Sequence, residues 1–287
     1  MHQRHGGSQL PSTVPAPVSR PFITFLSDYG FDDDFVGICH GVIATICPEA
    51  RVIDIAHGVR RHDIRAGALM LRDALAYVPT GVHLAVVDPD VGAERRAVAL
   101  RLADDRLLVG PDNGLLWPAA ELCGGVLEAT DIARSPFRLE PLSATFHGRD
   151  IFAPVAARLA AGSLVAEAGE PCDPDLLVKL ELPRSRLEDS ALVAHVLHTD
   201  RFGNVSLDVD HDDLADSGLK LGRPVELDLG EQRVHRATYA RTFADVNAGE
   251  LLVYEDAHRR LAVAISHGDA AVRLGIALDD ELRIKPG

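Results

Sequence analysis

The sequence predicts a chain in two parts: an α/β N-terminal domain with a mostly parallel sheet, then a C-terminal all-β barrel or sandwich. Three observations carry this. From Phe22 onward, short β-rich runs alternate with segments of helical period, the order that builds a sheet covered by helices. The first-half strands are apolar along most of their length, as strands buried on both faces are. After about residue 185 the helical segments give way to short strands separated by Gly, Asp or Asn turns. At 287 residues the chain exceeds one typical domain, and 47% hydrophobic residues are ample for a core.

Taken in order, residues 1–20, MHQRHGGSQLPSTVPAPVSR, are rich in Pro, Ser, Gly and His and lack the apolar centre of a signal peptide. They read as a disordered leader, with His2 and His5 as tail residues. The α/β domain is expected over 21–185, with strands at 23–27, 52–56, 83–87, 97–102 and 106–110. A helix over 34–46 presents Phe35, Ile38, Val42 and Ile46, and another over 63–77 presents Ile64, Leu69, Leu71 and Leu75. A third follows TFHGRD, with Ile151, Val155 and Leu159 on one face and Pro154 in its first turn. PRSRLEDS at 183–190 reads as a linker to a β domain over 186–287. There ALVAHVLHTD, NVSLDV, PVELDL, ELLVYED and LAVAIS are strands, with a short helix near 211–217.

The bulk composition excludes several classes of function. A net charge of −14 without a basic run disfavours nucleic acid. No apolar run approaches membrane-spanning length. Cys39, Cys47, Cys123 and Cys172 have no C-x-x-C spacing, so they read as reduced thiols of a cytoplasmic protein. No G-x-G-x-x-G follows a strand and no P-loop occurs, so dinucleotide and P-loop sites are poorly supported.

Chemistry is expected at the carboxyl ends of the strands, where open α/β sheets collect ligands. Polar residues recur there: Ser27-Asp28-Tyr29-Gly30, Asp54 to His57-Gly58, Asp88, and Pro111-Asp112-Asn113-Gly114. Turn chemistry alone explains any one of these, but four in one half of the chain ask for more. The stretch AVVDPDVGAERRAVAL, 85–100, poses the question most sharply, because a turn needs only its Pro and Gly. Asp88 and Arg95 form either a surface ion pair worth roughly 0–1 kcal/mol or part of a site. Asp28, Asp33, His57, Asp88, Asp112 and His147 are also the donor types of a two-metal hydrolase, although no metal-binding spacing joins them.

Five segments then act together: FLSDYGFDDDFVG, VVDPDVGAERR, VGPDNGLL, TFHGRDIFAPVAA and TDRFGN. In this order they resemble the S-adenosyl-L-methionine hydroxide adenosyltransferases, relatives of the fluorinase and chlorinase enzymes, over about residues 21 to 285. The resemblance implies an α/β domain, a β-barrel, and a homotrimer with active sites between subunits. It implies that water displaces methionine from the 5′-carbon of S-adenosylmethionine, giving adenosine, with no cofactor and no metal. Its Asp-Arg-His set falls on Asp88, Arg95 and His147. Asp28 corresponds to the acid that accepts the ribose hydroxyls, and Phe146 to a wall at the 5′-carbon. Asp200 and Asn204 correspond to residues at the amino-acid end and the adenine–ribose region, and Phe243 to an aromatic stacked on adenine.

Some positions depart from the family pattern. Ala257 and His258 stand where relatives carry a serine and, in the halogenases, an arginine, so His258 or Arg259 is left to meet the methionine carboxylate. Asp90 replaces a glycine. Gly148 stands at the halide-binding serine of the fluorinase, whose extra loop is missing, and the halogenases carry other residues at Asp88 and His147. Gly148, the missing loop, and Asp88 and His147 favour water over halide. Two rival readings use the same residues: a metal-dependent, phosphoesterase-like hydrolase, and a non-catalytic sensor of S-adenosylmethionine or adenosine.

Overall fold

The computed structural model describes residues 21–287, so the leader expected over 1–20 lies outside the described residues. The chain divides into two compact units. The first comprises the residues up to His62, Tyr77–Leu116 and Ala120–Leu177; the second comprises Asp63–Ala76, Trp117–Ala119 and Val178–Gly287.

The first unit contains one seven-stranded sheet. Its strands are β1 (Phe22–Ser27), β2 (Arg51–Ala56), β3 (Val82–Val86), β4 (Ala97–Leu102), β5 (Leu107–Pro111), β6 (Val126–Asp131) and β7 (Glu170–Cys172), in the order β2-β1-β3-β5-β4-β6-β7. β2, β1, β3 and β5 run parallel. β4, β6 and β7 extend the sheet antiparallel. The physical cause is loop length. Only residues 103–106 separate β4 from β5, with Asp105 at φ +66°, and so short a connection can only make a hairpin. β5 therefore lies between β3 and β4, and the 85–100 stretch leaves the parallel block and re-enters beyond it.

Helix α1 (Phe35–Ile46) covers this sheet through Val36, Cys39 and Ile43. That face is one residue round from the expected one: Phe35 is 38% exposed, and Ile38, Val42 and Ile46 are half-buried. Helix α2 (Ile64–Leu75) is capped by Asp63, whose side chain accepts the Ala66 N–H at 2.9 Å, and its contacts place it in the second unit. Helices α3 (Trp117–Leu122) and α4 (Ala153–Ala160) complete the set in this half of the chain. Ile151, Val155 and Leu159 are buried as expected, and Pro154 sits at the start of α4 where no N–H is missed. One π-helical turn, Gly148–Phe152, runs directly into α4.

In the second unit, β9 (Ala191–Thr199), β10 (Val205–Asp210), β11 (Pro224–Asp228), β12 (Val234–Tyr239), β13 (Leu251–Glu255), β14 (Arg260–Ile265) and β15 (Glu281–Pro286) form the sheet. Pairing of β10 with β9 closes it into a seven-stranded barrel. Its one parallel pair is β12–β13; the others are antiparallel. Alternation on β10, with Val205, Leu207 and Val209 buried, fills the interior with aliphatic side chains. Residues 186–188 of the expected linker form a short strand, β8, hairpinned onto β9 through Asp189 and Ser190, both at positive φ. The helix expected near 211–217 is a 3₁₀ turn, His211–Leu214, and a short helix α5 (Ala270–Leu274) follows β14.

Candidate active site

The first-unit site is built by two loops pressed together. Val87 follows β3, and its carbonyl accepts the Asn113 side-chain amide at 2.9 Å, fixing the backbone next to Asp88. Two turns follow, with the Val91 N–H on the Asp88 carbonyl and the Ala93 N–H on the Asp90 carbonyl. Gly92 is required here twice over. Its φ is +83°, and a β-carbon would lie 2.5 Å from the carbonyl oxygen of Ala144. That close approach brings the 88–96 loop against the segment ending in His147.

Arg95 joins the two loops chemically. Its Nε donates to Asp88 Oδ1 at 2.8 Å and its Nη2 donates to Asp88 Oδ2, a two-pronged grip. The same Nη2 lies 3.0 Å from His147 Nδ1. A guanidinium can only donate, so Nδ1 accepts and the proton of the neutral imidazole is on Nε2. The Asp88 and Arg95 side chains are only 5% and 9% exposed, which rules out an ordinary solvated surface bridge. The guanidinium also stacks over Phe152, 5.3 Å from the ring centre, in the π-helical turn after His147. Burial pushes the His147 pKa below its ordinary value. The Arg95 charge lowers it further, against opposing pulls from Asp88 and Asp150.

Tyr29 forms the wall of this site. Its phenol is pushed well above its ordinary pKa, by burial first and then by Cys39, Asp28 and Asp88, while Arg95 pulls the other way. Its ring meets Phe146 edge-on and lies tilted against Phe35, and Phe35 and Phe146 meet edge-on. A β-carbon on Gly148 would lie 2.1 Å from the Tyr29 hydroxyl, so the absence of a side chain at 148 is what admits the phenol. Asp28, one residue earlier, accepts the His62 N–H on Oδ2 at 3.0 Å and retains Oδ1.

The other substrate positions belong to the second unit. Asp200 Oδ1 accepts the N–H groups of Phe202 and Asn204, and Oδ2 accepts the Asn204 side-chain amide at 2.8 Å. TDRFGN is therefore a self-braced loop. Phe243 opens a 3₁₀ turn outside the barrel core, 38% exposed, with its ring 5.0 Å from that of Tyr254. His258 is exposed, and its backbone N–H donates to Asp256 Oδ1.

The six donors considered for a two-metal centre do not converge. Asp88 is held by Arg95 and Asp112 by Arg96. Among the described residues, the one cluster with metal-ligand spacing is His40, Asp54 and His57, which shares only His57 with that set. Residue-type reasoning placed Tyr29 and Asn113 at strand ends without giving either a role, and it missed Gly92 and Phe152 as parts of the site. Tyr29 lies within FLSDYG and Asn113 within VGPDNG, so motif position was the available signal for both.

Residues 23–169 match the N-terminal domain of the SAM hydroxide adenosyltransferases, and residues 194–283 match the C-terminal domain. The chain belongs to the SAM hydroxide adenosyltransferase family. It is 49% identical over 267 residues to an (R)-S-adenosyl-L-methionine hydrolase of Salinispora tropica, covering 93% of this chain and 98% of that protein. A hydrolase of the same name from Thermus thermophilus is 36% identical, over 88% of this chain and 95% of its own length. A fluorinase of Nocardia brasiliensis is 28% identical, covering 93% and 98%. A solved structure of an uncharacterised conserved protein from Thermotoga maritima superposes with a TM-score of 0.85 at 35% identity, covering 92% of this chain and 99% of the other.

Proposed function

We propose that the protein hydrolyses S-adenosyl-L-methionine to adenosine and L-methionine, with water attacking the 5′-carbon. The observation that carries this reading is the single guanidinium of Arg95 bound to both Asp88 and His147 Nδ1. As the water oxygen bonds to C5′, the C5′–S bond breaks and its electron pair stays on sulfur. Methionine leaves as a neutral thioether, so no general acid is needed. His147, with its proton on Nε2, donates a hydrogen bond that orients the water. Arg95 cannot accept a proton, and His147 Nδ1 is engaged, so the released proton passes to Asp88 or to solvent. A carboxylate is a weak base, yet it suffices here because the attacking oxygen becomes an oxonium as the bond forms.

The sulfonium loses its charge on the way to products, and a dry site with fixed dipoles favours that change more than water does. Phe146, Phe35 and Tyr29 supply the dry wall. Asp28 binds the ribose hydroxyls, Phe243 stacks on adenine, Asp200 and Asn204 serve the amino-acid end and the adenine–ribose region, and His258 meets the methionine carboxylate. The working form is a cytoplasmic homotrimer with sites between subunits and no cofactor or metal in the reaction. Incubation of purified protein with S-adenosylmethionine, followed by chromatography, tests this. Adenosine and methionine are expected in equal amounts; tight binding without adenosine makes the protein a sensor instead.

A further inference from the structure

A second polar cluster lies at β1 and β2 in the first unit, apart from Asp88, Arg95 and His147. His57 is wholly buried at the end of β2, and its Nδ1 lies 2.7 Å from Ser27 Oγ. Ser27 Oγ also accepts the Tyr29 N–H. The other ring nitrogen, Nε2, is buried and lies 3.0 Å from Asp54 Oδ1, an ion-pair contact whose angle falls short of a hydrogen bond. His40 Nε2 from α1 reaches the same Oδ1 at 2.9 Å. Two imidazole nitrogens thus converge on one carboxylate oxygen, one through a hydrogen bond and the other through an ion-pair contact alone.

We propose that His40, Asp54 and His57 are a three-ligand seat for a divalent transition-metal ion of the zinc class. The donor set is two imidazoles and a carboxylate, which suits Zn²⁺ and its neighbours and not Mg²⁺ or Ca²⁺. Zinc at about 2.0–2.2 Å from each donor separates ligand atoms by roughly 3.3 Å in a tetrahedron. The observed 2.9 and 3.0 Å need a few tenths of an ångström of widening. All three donor atoms already lie within 4.8 Å of one another.

The surroundings fit a ligand role. The Ser27 contact fixes the His57 ring as outer-shell partners fix metal-bound histidines. Phe25 and Phe31 clamp the ring edge-on at 4.6 and 5.1 Å. His40 and Asp54 are each 35% exposed and line a cleft of about 510 Å³ with Asp33 and Asp34, so an ion can enter from an acidic mouth. Three protein ligands leave a fourth position facing that cleft, the arrangement of a site open to water or a small anion. The three ligands are none of the residues that handle the attacking water.

Full-length protein, purified without a polyhistidine tag and stripped by chelation, is titrated with Zn²⁺ by calorimetry and with Co²⁺ by visible absorption. One saturable ion per chain is expected, with the strong d–d bands of tetrahedral cobalt. His40→Ala and Asp54→Asn, both at partly exposed positions, should each weaken binding by at least about 10-fold. Ser27→Ala should weaken it by roughly 10–100-fold. Adenosine release by His40→Ala should match the wild type, so a failure here is separable from a failure of the hydrolase reading. Absence of a saturable site, or unchanged affinity in both His40→Ala and Asp54→Asn, overturns the proposal and leaves a hydrogen-bonded tie between α1 and β2.

Discussion

Replacing Arg95 by alanine removes four contacts at once: two to Asp88, one to His147, and the stacking on Phe152. The Asp88 carboxylate, 5% exposed, is then left buried without a counter-charge. Breaking a buried pair from one side costs roughly 3–5 kcal/mol. For a chain of this size that lowers the transition of the α/β unit by on the order of 10 °C. Removing both partners in Arg95→Ala/Asp88→Ala leaves no orphaned charge, so the double variant should be less destabilised than the sum of the singles, and less than Arg95→Ala alone. Thermal and urea denaturation followed by circular dichroism read this directly. Turnover should fall by roughly 10²-fold or more in each single variant, with non-additive losses in the double because the groups act on one water. An Arg95→Ala protein within about 1 kcal/mol of wild type would show a solvated surface bridge and refute the buried-site reasoning.

Because burial and Arg95 hold the His147 pKa down, activity should persist as pH falls through its ordinary value of about 6.5 and decline only below it. Protonation at Nδ1 would set a donor against a donor. Arg95→Gln should move that limb upward in a kcat/KM profile, and an unmoved limb assigns it to another group. Gly148→Ser should lose activity at least 10-fold because its β-carbon meets the Tyr29 hydroxyl at 2.1 Å, and adding Tyr29→Leu should restore part of the loss; equal activity in both variants would sink the steric argument. Exhaustive chelation should leave adenosine release unchanged, whereas a loss restored by zinc, manganese or magnesium would require a metal in the reaction. Mixing His147→Ala with Asp200→Ala under subunit exchange should partly restore activity if each site takes residues from two subunits; verified mixed oligomers that stay inactive place the whole site in one chain.

Much of the fold was legible because apolar period follows burial. β1 to β5 were readable as apolar runs, and β10 by its alternation. β6 and β12 were not: VLEATD buries Thr130 and exposes Leu127, and VHRATY exposes Val234 along with Arg236, so neither strand shows an apolar run or a clean alternation. Strand direction was also hidden. The antiparallel turn of β4 depends on the short 103–106 connection, which a strand-by-strand reading does not register. In the site, Asp88, Arg95 and His147 were found because two motifs carry them, 52 residues apart between Arg95 and His147. Tyr29 and Gly148 were not recognised as a pair, since only the three-dimensional approach shows that one residue's missing side chain admits the other's hydroxyl. Likewise, His40 and Asp54 come from a helix and a strand whose packing no local spacing encodes.

The most direct measurement is turnover of S-adenosylmethionine in ¹⁸O-labelled water, with the products resolved by mass spectrometry. Attack of water on the 5′-carbon places one labelled oxygen on the 5′-position of adenosine and leaves methionine unlabelled. Adenosine without label, label in another product, or no adenosine at all would contradict a site in which Asp88, Arg95 and His147 direct water at that carbon.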